Sequence, residues 1–304
     1  MNRQINIKRI LSFLLFILGF IVCSYPLISS IVERQYQKDA VATYAKEVET
    51  IQEKDTRYYL EEANQYNSIL YQSGSMLIEA QGADILSKES YNQILNISDT
   101  GVMGSIDIPK INVNLPIYHG ISDEVLSVGV GHLEGSSLPV GGSNTRTILT
   151  GHRGLPNSKL FTRLDEIEKK DLFFIHVLGN TLAYQVTEIK VIKPDETDSL
   201  HIVPDKDLAT LITCTPYGIN THRLVITGER VAYEQKEYDE IKGEIMSLRE
   251  MIFAVIPFAF LMIAVVSHRK NKKREGKNCE TNEEIFIHLD DFSCFISFCA
   301  GICL

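Results

Sequence analysis

The chain has 304 residues, 44% of them hydrophobic, and no tryptophan. That length suits one or two domains, and that apolar share is enough for a buried core, which excludes wholesale disorder. A formal net charge of -9 argues against a nucleic-acid binder, because phosphate contacts need a positive face.

The first element, residues 1–32, is a short basic N-terminus followed by an apolar run. Ile10 to Val32 is 23 residues long, interrupted only by Ser, Gly and one Pro, and follows Arg3, Lys8 and Arg9. A bilayer core of about 30 Å needs ~20 apolar residues, so this run can span it. A cleaved signal peptide is the competing reading. Its apolar region would be roughly 7–15 residues before a small-residue site, whereas this run is longer and Cys23-Ser24-Tyr25-Pro26 is a poor cleavage site. The sequence therefore predicts an uncleaved anchor.

Residues 33–103 form a stalk and connector. Glu33 to Tyr71 lacks Gly and Pro, and Tyr36, Ala40, Tyr44, Val48 and Ile51 recur at helical spacing, so a helix is expected over 33–72 that ends at Ser73-Gly74-Ser75. Residues 74–104 are irregular, with one helical turn near Glu89 to Leu95. From 104 to 232 the pattern changes to short strands: Gly104–Ile108, Val113–Tyr118, Gly129–Leu133, Thr147–Gly151, Leu172–Val177, Thr181–Ile192, Leu208–Thr213 and Arg223–Arg230. Turn residues separate most of them, which points to a mainly β barrel or sandwich. One short helix is expected at Leu160–Ile167.

A charged juxtamembrane helix over 233–250 leads into a second apolar run, 251–267, with Arg269, Lys270, Lys272, Lys273 and Arg274 just beyond it. Both basic flanks lie on the outer ends of the two runs. The positive-inside rule then places both termini in the cytoplasm and residues 33–250 outside. The tail, 268–304, is basic, then apolar and Cys-rich, without zinc-site spacing.

This topology changes what the cysteines mean. Of six, only Cys214 falls within 33–250, so it has no partner there for a disulfide. A buried apolar Cys is one reading; a nucleophile kept reduced by the lack of a partner is the other. Cys214 ends an apolar strand, a Pro-Tyr-Gly turn follows, and Arg223 comes back nine positions later. A thiol is a useful nucleophile only with a base or a positive neighbour. The exported histidines are His119, His132, His152, His176, His201 and His222. His176 alternates within an apolar strand. His119 and His201 sit beside turns, as surface residues would, and His132 lies in a Gly-rich turn. His222 points away from whatever Arg223 faces. His152, where an apolar strand enters a Gly-flanked loop, is the best candidate.

These residues resemble a known family. Thr210-Leu211-Ile212-Thr213-Cys214 matches the TLxTC signature of sortases, with Arg223 nine residues on, and Thr150-Gly151-His152-Arg153-Gly154 matches their histidine motif. Ile108 to Tyr118 and Gly131 to Pro139 are also similar. The whole looks most like class C, the pilin-polymerising sortases of Gram-positive bacteria, over about residues 104–232 and in the two-span layout. The resemblance implies a closed eight-stranded β-barrel with N-terminal helices, flanked by two transmembrane helices. It implies a cell-membrane, multi-pass cysteine transpeptidase with its catalytic domain outside, using no cofactor and no metal.

On that resemblance, Cys214 would attack the Thr–Gly carbonyl of an LPxTG-like sorting signal and form a thioester. His152 would protonate the leaving amine and then deprotonate the incoming one. Arg223 would bind the signal's backbone and stabilise the oxyanion. The acceptor would be a pilin lysine. The alternatives are anchoring of surface proteins to peptidoglycan, or a non-catalytic membrane scaffold for pilus assembly. The partners would be pilin or surface proteins with LPxTG-like signals, and no nucleic acid. Class C enzymes also carry an Asp-Pro-aromatic lid. No such motif occurs between 74 and 104, and Asp84 with Leu86 is the nearest match, Asp84 pairing with Arg223 and Leu86 covering Cys214. Thr213, next to the nucleophile, joins them as a substrate or lid contact.

Overall fold

The computed structural model describes residues 7–73, 86–97, 100–155, 158–241 and nine positions between 251 and 266. It divides into two units, Met1–Ser29 with Met246–Leu304, and Ser30–Ile245. The catalytic-site residues lie in the second.

Helix α1 runs Ile7–Thr50 and α2 runs Glu53–Gln72. The single helix expected over 33–72 is thus broken at Ile51 and Gln52, where no Gly or Pro marks the break. Helix α2 buries Ala63, Tyr66, Asn67 and Leu70, a spacing of three, one and three that makes one stripe. Both helices pack on the next domain, as a stalk lying against it would. The Tyr44 hydroxyl donates to Met103 O at 3.1 Å and accepts from Leu178 N–H at 3.1 Å. Asn67 bonds both the N–H and the C=O of Leu138. The helical turn in the connector is α3, Lys88–Gln93, capped by the Ser87 hydroxyl.

Eight strands follow: β1 Val102–Ile108, β2 Val113–His119, β3 Val130–His132, β4 Thr145–Thr150, β5 Leu172–Val177, β6 Asn180–Ile192, β7 Asp207–Thr215 and β8 His222–Val231. They close into a barrel in the order β1-β2-β3-β4-β7-β8-β6-β5. The β2–β3 and β4–β7 pairs are parallel, and the remaining pairs are antiparallel. All eight strands read from sequence are present. A short helix α4, Asp123–Val128, leads into β3 and was not foreseen. The helix expected at Leu160–Ile167 is a turn ending in one 3-10 turn, Leu164–Glu166.

Alternation along the strands sorts the core. Leu149, Leu211, Ile226, Phe173 and Tyr184 belong to the main core. Their sequence neighbours Ile148, Ile212 and Val225 form a separate apolar cluster with Leu200, against which Leu133 and Ile192 pack. Leu172, Phe174 and Ala183 form a third, covered by Tyr238 of helix α5, Gln235–Glu240. The barrel therefore has a filled interior and two apolar patches on its outer face.

Among the described residues one helix is long and apolar enough to cross a membrane, at the N-terminal end. The nine described positions between 251 and 266 are helical. The remainder of that run and the Cys-rich tail lie outside the described residues.

Candidate active site

Cys214 is the next-to-last residue of β7 and is half-buried. Directly across the antiparallel ladder on β8 stands Arg223. Opposed residues of such a pair share one face, with Cβ atoms about 5 Å apart. The parallel β4–β7 ladder sets Thr150 opposite Ile212. Arg223 and Cys214 thus stand opposite each other on neighbouring strands, and His152 lies in the loop leaving the next strand, two residues after Thr150 as Cys214 is two after Ile212. By alternation Cys214 and Arg223 continue the rows Thr210–Ile212–Cys214 and Arg223–Val225 on the outer face, beside Ile148 and Thr150 of β4. The outer cluster of Ile148, Leu200, Ile212 and Val225 is therefore the apolar floor beside the thiol.

Local sequence explains the placement of His152. Gly151 lies against the Phe161 ring, where a Cβ would meet ring carbons at 2.7 and 2.8 Å. The His152 carbonyl accepts from Phe161 N–H at 3.1 Å. Gly154 has φ of +84° and sits beside Tyr217, a conformation and a proximity that together favour glycine. Between them the Arg153 side chain is buried. It donates to Asp165 and to the Thr215 hydroxyl, and lies over the Tyr217 ring. The loop's far end is braced by α1, whose buried Gln37 donates to Ser158 Oγ at 2.9 Å.

Arg223 is held by the turn it follows. Its Nη1 donates to Asn220 O at 3.2 Å and to His222 O at 3.1 Å. His222 pairs with Thr215 in the ladder and so faces the other side, as its position predicts.

The remaining candidates separate. Thr213 is 1% exposed and its hydroxyl donates to Gly151 O at 2.8 Å. Its side chain supports the histidine loop from the interior and does not line the cleft. Leu86 packs against the main core. Asp84 lies outside the described residues.

His119 and His201, expected at the surface, are both half-buried. The two ring nitrogens of His119 lie 3.0 Å from Gly101 O and 2.8 Å from Ile94 O. His132 is fully enclosed, between the Tyr91 hydroxyl on one nitrogen and Ser136 Oγ and Ser137 O on the other. Burial drives the His132 imidazole down to about 4, the Ser137 bond opposing. Burial also lowers His176, with Asp107 opposing. Neither is poised as a base for the thiol.

Arg153, Thr215 and the outer apolar floor were not assigned a role from sequence. The floor was visible as the outward half of the alternation in β4 and β7. The contacts of Arg153 depend on a parallel pairing that local sequence does not announce.

A half-buried thiol opposite a guanidinium, with an imidazole in the loop leaving the adjoining strand and an apolar floor beside them, is a set of groups suited to cysteine acyl transfer. The Sortase domain family matches residues 106–231. Sortase D of Bacillus subtilis is 31% identical over 157 residues, covering 50% of this chain and 76% of that protein. Among solved structures, sortase C1 of Streptococcus agalactiae is 44% identical with a TM-score of 0.61, covering 64% of this chain and 100% of that one. Clostridium perfringens sortase C, solved with the C-terminal cell wall sorting motif, is 43% identical with a TM-score of 0.56, covering 64% and 99%. The chain belongs to the sortase family and is a cysteine transpeptidase. Its structural neighbours are class C sortases.

Proposed function

We propose that this chain is a pilin-joining sortase, anchored in the membrane by two spans with its barrel outside. Cys214 attacks the Thr–Gly carbonyl of an LPxTG-like signal. The C–N bond breaks, a thioester forms, and the glycine amine leaves with a proton from His152. A pilin lysine amine then gives its proton back to His152 and attacks the thioester. An isopeptide bond forms, the C–S bond breaks, and the Cys214 thiolate is regenerated beside protonated His152. Arg223 holds the signal's backbone and stabilises the tetrahedral oxyanion.

The observation that supports this reading is the register: Cys214 pairs with Arg223 across β7–β8, and β4, whose exit loop holds His152, pairs with β7 up to Thr150 and Ile212. The outer apolar cluster suits the Leu and Pro of such a signal. The clostridial relative, solved with a C-terminal cell wall sorting motif, supports a substrate of this class. The two basic-flanked apolar runs support the anchored topology.

The test uses the full chain in detergent, a pilin subunit with an LPxTG-like tail and mass spectrometry of the products. A lysine isopeptide between subunits, absent with Cys214→Ala, is the expected result. Product joined only to a peptidoglycan amine would replace the pilin reading with wall anchoring. Undiminished crosslinking by Cys214→Ala would leave the scaffold reading.

A further inference from the structure

The β4–β7 ladder ends where β4 ends, with Thr150 opposite Ile212. His152 lies two residues beyond that end, yet the chemistry needs it level with Cys214. Three contacts carry the alignment onward. Gly151 N–H donates to Ile212 O at 3.1 Å. The Thr213 hydroxyl donates to Gly151 O at 2.8 Å. Arg153 Nη1 donates to Thr215 Oγ1 at 3.2 Å. The first two fix the step before His152 and Cys214. The third fixes the step after them.

Arg153 is built for that position. Its side chain is 4% exposed and its Nη2 pairs with Asp165. Its guanidinium carbon lies 5.8 Å from the centre of the Tyr217 ring, on the turn after Cys214. One planar group thus engages a hydroxyl, a carboxylate and a ring face, which a lysine ammonium cannot do together. Thr215 is one residue beyond Cys214 on β7 and pairs with His222, so alternation puts it on the opposite face. The guanidinium reaches that face through the Thr215 hydroxyl.

We propose that Arg153 is a positioning residue for transpeptidation, acting through Thr215 to extend the β4–β7 register past the end of the ladder and hold His152 level with Cys214. This rests on the catalytic reading of Cys214 and His152 given above. Proton transfer needs heavy atoms within about 2.6–3.2 Å, and a displacement of about 1 Å can cost on the order of 10²-fold in rate. A brace behind the pair therefore acts on turnover and leaves binding of the signal on the outer floor in place.

The experiment measures cleavage of a fluorogenic peptide carrying Leu-Pro-Glu-Thr-Gly by the full chain in detergent. The variants are Arg153→Gln, Thr215→Val, the two together, and Cys214→Ala, each with its thermal midpoint. Arg153→Gln is expected to lower kcat on the order of 10²-fold with KM within about twofold. Thr215→Val, nearly isosteric, is expected to lower kcat about tenfold with an unchanged midpoint. The double variant is expected to match Arg153→Gln alone, because both changes remove one bond. Losses that multiply in the double variant, or that appear in KM, would overturn the proposal. So would a wild-type kcat for Thr215→Val, which carries the test even where Arg153→Gln does not fold. Turnover that survives Cys214→Ala would instead overturn the catalytic reading, and this proposal with it.

Discussion

Arg223 shows how little of a residue's role lies in its charge alone. Its guanidinium is held by two carbonyls of its own turn, Asn220 O and His222 O, and so is set before any substrate arrives. A lysine there keeps the charge and loses the rigid, planar fork of donors. We predict that Arg223→Lys lowers kcat by about 10²–10³-fold, the range seen when an oxyanion donor is removed. Steady-state cleavage of the same fluorogenic peptide checks it, and activity within about threefold of wild type would refute the assignment. At this scale topology and family motifs singled out Cys214, His152 and Arg223, and the ladder sets Cys214 opposite Arg223. The sequence failed for Thr213: it was expected as a substrate or lid contact, and its hydroxyl turns inward to Gly151.

At the scale of elements, the attachment of α2 to the barrel depends on one buried amide. Asn67 is 4% exposed and serves both backbone groups of Leu138 at once. Its removal leaves the buried Leu138 N–H without a partner, at about 1–3 kcal/mol, and takes one of two donors from the Leu138 C=O, which also accepts from Val140 N–H. We predict that Asn67→Ala destabilises the Ser30–Ile245 unit by about 2 kcal/mol or more. Asn64→Ala, on the exposed side of the same helix, is predicted to change stability by under about 0.5 kcal/mol. Urea titrations followed by circular dichroism measure both, and equal midpoints would show that the amide pair does not hold the helix. The strands were readable because alternation and turn residues repeat eight times. The break at Ile51 and Gln52 was not, since apolar residues keep helical spacing across it and nothing local interrupts them. The 160–167 segment missed a helix for a tertiary reason: Arg163 is engaged with Glu166 and the Ile111 carbonyl, and Phe161 with the histidine loop.

For the whole molecule, buried imidazoles tie stability to acidity. His132, with an ordinary value of 6.5, is held down to about 4 inside the fold, first by burial. Between those two values the unfolded chain takes up a proton that the folded chain refuses. Stability from this group is complete above pH 6.5 and falls as pH drops toward 4. His176, also lowered by burial, adds to the decline. Asp107 is raised by burial, so it favours the folded state as pH falls through its own range and lessens the effect. We predict that the thermal midpoint drops between pH 7 and pH 5, and that His132→Gln flattens the slope even as it lowers the midpoint. Parallel slopes for the two proteins would refute the role of His132.

The eight strands were legible in the sequence, but their order round the barrel was not. The parallel β2–β3 and β4–β7 pairs join segments whose partnership leaves no local mark. Thr213 and Gly151, which bond across the site, are 62 residues apart in the chain. Between them lie β5 and β6, which must pair with β1 and β8 for the barrel to close. Contacts of such separation form late, after the entropy of closing the loop has been met. A half-folded chain that has formed the β7–β8 hairpin but not the β4–β7 pair would therefore carry its thiol opposite Arg223 without the histidine loop beside it.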